Sequence, residues 1–224
     1  MRNWQTALIA GLVISLLAIL ALPGSAKVLT TSSFPLEGEN VARAETTLGN
    51  LVADSLRDSA KADIALVNAS QMRPKDLPAG PITTEQISSV LAYPDENVAR
   101  VKMKGGKIIA CLERGLSLLP KPNKGFLQVS GISVKLDSRR DSGSRVVEVK
   151  VGRERLAPDK EYEVALPLSL AKGAGGYFTI LNGLEVKKFE TTLLDTVIDY
   201  LSANGTSSAK SESPRLEDLK PPSD

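Results

Sequence analysis

The chain has 224 residues, with 28 lysines and arginines against 26 aspartates and glutamates, one cysteine and no histidine. A net charge of +2 gives no electrostatic basis for binding nucleic acid or another polyanion. Without histidine the chain lacks the commonest general base and metal ligand, which excludes Ser-His-Asp and Cys-His catalysis. Cys111 follows Ile108 and precedes Leu112 in a helical apolar pattern, which predicts a buried structural thiol.

The first 26 residues differ in composition from the rest. Arg2 is followed by an apolar stretch over residues 7–22, then by Pro23, Gly24 and small residues. This pattern predicts a secretory signal peptide cleaved after Ala26, and hence export to the periplasm or the extracellular space. The alternative is a retained membrane anchor formed by residues 7–22, because such a stretch falls only just short of a spanning helix.

The remaining sequence predicts one domain between two irregular segments. Residues 27–39 are predicted to be a linker, and residues 40–203 form a domain large enough to bury a core. Residues 204–224 are rich in serine, proline and charge and have no apolar period, which predicts a disordered tail.

Helices and strands alternate in the first half of the predicted domain. Leu48, Leu51 and Leu56 recur at helical spacing, and Thr83 with Gln86 has the spacing of a capping box. The predicted elements, in order, are a helix over 45–60, a buried strand over 63–67, a helix after Thr83, a strand over 98–105 and a helix over 107–119.

From Phe126 onward the apolar period changes to two. Strands are predicted over 126–137, 145–151, 162–170 and 184–189, and a final helix over 193–202. The charged segment 138–144 predicts a hairpin turn, with Arg139 and Arg140 at a solvated tip. The fold class is therefore α+β, a mixed sheet with flanking helices.

Two segments are candidates for a ligand site. Asn68 and Arg73 follow the buried strand 63–67, where they either form an anion site or close a turn. The glycine-rich segment 172–177 either cradles a phosphate or forms a tight turn that needs positive φ. No pair of carboxylates and no acidic cluster has a spacing suited to acid–base catalysis or to a metal, so no catalytic residue and no metal ligand is predicted.

Six ordered segments together resemble the C-terminal domain of the 5'-nucleotidase family over residues 40–203. The segments are ETTLGNLVADSL, ADIALVNASQMRP, LPAGPIT, GFLQVSGI, RVVEVKV and AKGAGGYF. The resemblance implies a domain that supplies a nucleotide pocket. In the family the two catalytic metal ions are held by a separate metallophosphoesterase domain, whose absence from this chain would explain the missing histidines.

The resemblance also implies roles for individual residues. Asn68 and Arg73 fall on an asparagine and on an arginine that engages substrate phosphate, and Arg43 lies one residue from a second phosphate-binding arginine. A guanidinium fork suits that task.

Other pocket positions depart from the family pattern. Residues 69–71 replace three glycines, Asp95 and Ser169 replace the two phenylalanines that stack on the base, and Gly175 replaces the aspartate that holds the ribose. Loss of both aromatic faces removes stacking worth about 1–3 kcal/mol per base at comparable sites, so ligand binding is expected to be weak.

The sequence thus predicts an exported, stand-alone domain with no catalytic activity and no cofactor of its own. It would bind a nucleotide or phosphate weakly through Asn68, Arg73 and Arg43, or serve a separately encoded metallophosphoesterase as a partner. The alternatives are a hydrolase active in its own right and a relic domain with a purely structural or interaction role. Contact with a membrane is expected only if the N-terminal segment is retained.

Overall fold

The structure, a computed structural model, describes residues 27–219. The predicted signal peptide or anchor lies outside the described residues, as do residues 220–224. Within residues 27–219, none of the helices is both long enough and apolar enough to span a membrane.

The described chain contains eleven strands in three sheets. They are β1 (Val28–Ser32), β2 (Ile64–Asn68), β3 (Gly80–Thr83), β4 (Asn97–Lys104), β5 (Leu127–Ser130), β6 (Ile132–Leu136), β7 (Val146–Val151), β8 (Glu154–Arg155), β9 (Glu161–Pro167), β10 (Val186–Thr192) and β11 (Leu216–Asp218). The helices are α1 (Thr47–Ala60), α2 (Thr84–Val90), α3 (Gly105–Leu116), α4 (Leu168–Ala171), α5 (Phe178–Leu181) and α6 (Leu193–Asn204).

The central sheet has five strands in the order β10-β4-β9-β2-β5. β2 and β9 are parallel, whereas the other neighbours in this sheet are antiparallel. A second sheet has the order β11-β6-β7-β8, and β1 pairs with β3 in a third. This mixed architecture with flanking helices confirms the α+β prediction.

β2 is buried along its whole length because both faces of the central sheet are covered. Ala65 and Val67 belong to the core that contains α1 and α6, while Ile64 and Leu66 belong to the core on the opposite face, beneath α3. Successive side chains on a strand point to opposite faces, so one short apolar run contributes to both cores. β2 thus ends with its last residue, Asn68, between two packed layers.

The predicted helices have the expected start signals. The Thr46 hydroxyl accepts a hydrogen bond from the Gly49 N–H at 3.0 Å at the start of α1. Thr83 and Gln86 form the predicted capping box at the start of α2, with each side chain bonded to the other residue's backbone N–H.

The predicted strand over 126–137 is divided in two at Gly131. Gly131 has a φ of 79°, and a Cβ there would overlap the carbonyl oxygen of Asp63. The chain turns at this glycine, so that β5 lies in the central sheet and β6 in the second sheet. The period-two pattern identified both strands but contained no signal that they belong to different sheets.

The structure differs from the prediction at both ends of the domain. Within the predicted linker 27–39, β1 pairs antiparallel with β3 and Leu36 is fully buried. Within the predicted disordered tail, β11 pairs in parallel with β6, and Arg215 forms an ion pair with Asp54. A few specific contacts order these segments, and they leave no periodic pattern in the sequence.

Candidate functional site

The carboxyl end of β2 leads directly into a tight turn. Asn68 is 1% exposed, and the next three residues, Ala69–Gln71, form one turn of 3₁₀ helix. The Ala69 N–H donates to the Phe126 carbonyl at 2.8 Å, and the Ser70 N–H donates to the Lys124 carbonyl at 2.9 Å. These bonds hold the turn against the loop that precedes β5, so its geometry is set by backbone contacts.

Two buried amides in this turn each have an unpaired oxygen. The Asn68 amide donates to the Ser70 hydroxyl, and the Gln71 amide donates to the Ser169 hydroxyl at 3.1 Å. Neither Asn68 Oδ1 nor Gln71 Oε1 has a hydrogen-bond partner among the residues that the structure describes. Because a buried unpaired acceptor costs about 1–3 kcal/mol, this turn is a locally unfavourable part of the fold.

The Arg73 side chain closes the end of α2. Its Nη1 donates to the carbonyl oxygens of Leu91 at 2.6 Å, Ser89 at 3.1 Å and Ser88 at 3.4 Å. The last carbonyls of a helix have no partners within the helix, and they carry partial negative charge. Arg73 therefore has a capping role, while its Nη2 and Nε make no hydrogen bond within residues 27–219 and the side chain stays exposed.

Arg43 lies beside a different cavity. Its Nε donates to Asn40 Oδ1 at 3.0 Å, and it lines a cavity of about 460 Å³ whose floor includes Phe126 and Leu216. Neither Asn68 nor Arg73 lines this cavity. Asn68 thus bonds within its own turn. Arg73 lies at the end of α2 and Arg43 lies beside the cavity, so the structure does not bring the two arginines together.

The glycine-rich segment 172–177 is a tight turn. Gly173, Gly175 and Gly176 all have positive φ. Arg114 donates to the carbonyl of Gly175 at 2.9 Å and to that of Gly176 at 3.3 Å. Because this guanidinium binds the carbonyl oxygens of the turn, the segment has the features of a structural turn. A Cβ on Gly175 would lie 3.9 Å from Asn68 Nδ2, so the glycine turn and the β2 turn are neighbours.

The two positions that replace stacking aromatics carry polar groups. The Ser169 N–H donates to the Glu96 carboxylate at 2.7 Å, and the Ser169 hydroxyl accepts from Gln71. Asp95 is exposed. The side chains of Gln71 and Glu96, from separate segments, therefore both bond to Ser169.

Sequence reasoning did not single out several residues around this region. Gln71 and Glu96 hold Ser169, and Arg114 holds the glycine turn. Tyr93 and Phe178 are large aromatic side chains that are 58% and 60% exposed. In the sequence, Tyr93 lies two residues before Asp95, and Phe178 directly follows the glycine-rich segment 172–177. These positions were the available signal that both aromatics lie near the candidate site.

Groups suited to acid–base or nucleophilic chemistry are few. Within residues 27–219, no three His, Cys, Asp or Glu side chains are grouped so as to hold a metal ion. Burial raises the pKa of the Cys111 thiol to about 12, so the thiolate that attacks electrophiles is scarce at neutral pH. This confirms the prediction of a buried, structural cysteine.

Known proteins similar to this chain share one domain with it. The sequence profile described as "5'-nucleotidase, C-terminal domain" matches residues 24–183. An apyrase of Aedes albopictus is 32% identical over 69% of this chain and 29% of its own length, and a 5'-nucleotidase of Vibrio parahaemolyticus is 28% identical over 66% and 26%. The chain thus spans less than a third of the length of these curated relatives.

Solved structures give the same result. A 5'-nucleotidase precursor of Thermus thermophilus superposes with a TM-score of 0.76 at 30% identity, covering 88% of this chain and 40% of that one. An NAD nucleotidase of Haemophilus influenzae superposes with a TM-score of 0.72 at 19% identity, covering 86% and 38%, which supports the fold alone.

Proposed function

The chain belongs to the 5'-nucleotidase C-terminal domain family, and from this premise we propose that it is an exported domain without catalytic activity of its own. It would act as a partner module for a metallophosphoesterase carried on another chain, in the hydrolysis of nucleotides. The observation that carries the proposal is that the chain has the fold of this domain and that its sequence contains no histidine. Two-metal hydrolysis requires a group of metal-binding side chains, and no three His, Cys, Asp or Glu side chains are so grouped within residues 27–219.

The geometry at Arg73 supports weak anion binding as part of this role. Nη1 is occupied by three carbonyl oxygens, whereas Nη2 and Nε remain free to face an anion on the exposed side. One charged contact without aromatic stacking should give an affinity no better than about 0.1–1 mM. Asn68 would contribute only after its amide leaves Ser70.

A second candidate, a structural or interaction domain without a ligand, is favoured by one observation. Asn68 and Gln71 direct their amides to serines of this chain, and the Gln71 contact lies at the position of a stacking aromatic. Such a site is filled by its own side chains. Binding to a partner protein would then be the whole function.

Hydrolysis of AMP by the purified protein, alone and mixed with a metallophosphoesterase, tests the proposal. We expect no phosphate release by the protein alone with any divalent metal, and a faster reaction when the two are combined. Co-purification from the native envelope fraction, followed by mass spectrometry, should identify the partner. Metal-stimulated hydrolysis by the protein alone that persists through repeated chromatography would favour a hydrolase in its own right.

Arg73→Gln separates the two candidates. If Arg73 serves a ligand, AMP shifts the Arg73 Nε–H resonance of the natural chain, and the variant loses the rate gain with the partner while the fold is retained. If the domain has only an interaction role, the variant retains the complex, and neither phosphate nor AMP shifts the Arg73 Nε–H resonance of the natural chain.

A further inference from the structure

A polar groove, separate from the cavity beside Arg43, lies where the predicted tail packs against the domain. It has a volume of about 430 Å³ and is bounded by the last turns of α1, the corner between β5 and β6, and residues 208–215. Its lining includes the hydroxyl groups of Ser130, Ser133, Tyr200, Ser208, Ser211 and Ser213. Residues 208–215 lie beyond the family match at 24–183.

Both terminal nitrogens of the Arg215 guanidinium, which lines the groove, are engaged. It makes two parallel bonds to the Asp54 carboxylate, at 2.7 and 2.8 Å, and it donates to the carbonyls of Val129 and Ser208. Asp54 and Arg215 therefore neutralise each other. The remaining charge of the groove lining is the positive charge of Arg57.

Arg57 is fixed along most of its length. Its Nε donates to the Ser130 hydroxyl at 2.7 Å, and that hydroxyl donates to Asp54 at 2.6 Å. Its Cδ lies 3.0 Å from the point where a Cβ on Gly131 would stand, so the glycine leaves room for the side chain. The buried Asp54–Arg215 pair thus positions Arg57 through one serine.

The two terminal nitrogens of Arg57 are unused. Among residues 27–219, no hydrogen bond and no ion pair engages them, although the arginine lines the groove. A guanidinium whose Nε is already bonded presents a rigid pair of donors that matches two oxygens of an anion. Ser130 already donates to Asp54, and the Tyr200 and Ser208 hydroxyls bond to each other. Among the described residues, the hydroxyls of Ser133, Ser211 and Ser213 remain as further donors, which suits an anion with more than two oxygens.

We propose that this groove binds a phosphate group, with Arg57 as its bidentate ligand and the hydroxyls of Ser133, Ser211 and Ser213 as donors to the remaining oxygens. The chemistry is that of inorganic phosphate or of a phosphate monoester. Arg43, Asn68 and Arg73 do not line the groove, so the site is separate from the proposed nucleotide-related site.

Titration of the purified protein with inorganic phosphate at constant ionic strength, followed by NMR and calorimetry, tests the proposal. We expect a saturable shift of the Arg57 Nε–H resonance, and a loss of affinity of about tenfold or more in Arg57→Gln. Lys61→Gln is the matched control, because Lys61 is an exposed cation near the same helix end and pairs only with Asp58. It should change the affinity less than about twofold, as expected for an exposed charge.

Further ligands and variants distinguish the possible results. Glycerol phosphate that competes with phosphate shows that esters share the site, and acetate that binds as tightly would overturn the assignment to a phosphate group. Arg73→Gln should leave the phosphate-dependent shift of the Arg57 Nε–H resonance unchanged, so failure of the nucleotide-related site and failure of this one are separable. Absence of a saturable shift, or equal losses in Arg57→Gln and Lys61→Gln, would overturn the proposal.

Ser130→Ala tests the positioning of Arg57. We expect a loss of affinity smaller than in Arg57→Gln, together with faster solvent exchange of the Arg57 Nε–H in the free protein. Circular dichroism and the unfolding midpoint establish that the variant is folded. An unchanged exchange rate and unchanged affinity would show that Ser130 does not position the guanidinium.

Discussion

Two polar clusters, one around Asp54 on α1 and one at the β2 turn, differ in how completely they are paired. Around Asp54, both carboxylate oxygens and the Arg215 guanidinium have partners, and the cluster fixes the C-terminal segment to α1. At the β2 turn, Asn68 and Gln71 are just as buried, yet each leaves an oxygen unpaired. Unfavourable local arrangements of this kind persist where the surrounding structure imposes them, and they concentrate at functional sites.

The contrast concerns pairing, and pairing alone does not identify a site. The paired cluster joins the predicted helix over 45–60 to the predicted tail, and the proposed phosphate groove lies beside it. The unpaired cluster lies where the sequence predicts a ligand site, but Asn50 Oδ1 on α1 is also buried without a partner among the described residues.

Breaking the paired cluster should have the largest effect. Asp54→Ala leaves Arg215 buried without its counter-charge, and we expect a loss of about 3–5 kcal/mol in the free energy of unfolding. Urea unfolding followed by circular dichroism measures it. Asp58→Ala, on the same helix, removes an exposed pair with Lys61 and should cost less than about 1 kcal/mol. Similar losses in both variants would show that the cluster is not a stabilising unit.

Replacing two buried glutamines by methionine compares paired and unpaired amides directly. Gln128 accepts from the Thr46 N–H and donates to the carbonyls of Val41 and Ala44, so Gln128→Met should cost about 2–4 kcal/mol. Gln71→Met removes one hydrogen bond together with one unpaired oxygen, and the change should lie within about 1 kcal/mol of zero. Urea midpoints with equal slopes measure both changes. A loss at Gln71 as large as that at Gln128 would contradict the contrast.

A smaller effect is expected at Arg73, which borders the unpaired cluster. Arg73→Ala removes the donor to the last carbonyls of α2, and we expect a loss of about 0.5–1 kcal/mol. The thermal unfolding midpoint measures it, with exposed Lys121→Ala as the control for loss of one surface cation. An unchanged midpoint would leave ligand binding as the role of Arg73.

The smallest effect is expected in the pH dependence of stability, through the carboxyl group of Asp137. The hydrogen bonds from Arg139 lower the pKa of Asp137 from 3.8 to about 2. A carboxyl whose pKa is depressed by folding contributes stability above its unfolded pKa, and this is lost as pH falls from about 4 towards 2. Unfolding measured across this range should show a shallower decline for Asp137→Asn than for the natural chain. Parallel curves would show that Asp137 contributes no pH-dependent stability.

Much of the fold was predictable because its signals are local. Apolar spacing identified α1 and β2, and Thr83 with Gln86 identified the start of α2. The change of sheet at Gly131 was not predictable, since it depends on the close approach of Asp63 from another part of the chain. Nor was the order of the C-terminal segment, which depends on contacts such as Arg215 with Asp54, 161 residues apart in sequence.

The candidate site was less predictable than the fold. The position of Asn68 at the end of a buried strand followed from the apolar run. The capping role of Arg73 did not, because it requires the end of α2 to lie beside the β2 turn. Gln71 was noted only as a replacement for a family glycine, and its contact with Ser169 was not predictable because the two residues are 98 apart in sequence.

The return of the C-terminal segment to α1 has a practical consequence for anyone producing the domain. A recombinant fragment cut at residue 183, where the family match ends, would lack β10, α6 and β11. It would uncover the apolar side of α1 against which Val197 and Leu201 pack, and it would separate Asp54 from Arg215. Expression of such a fragment should yield insoluble material, and soluble production requires a boundary after Asp218.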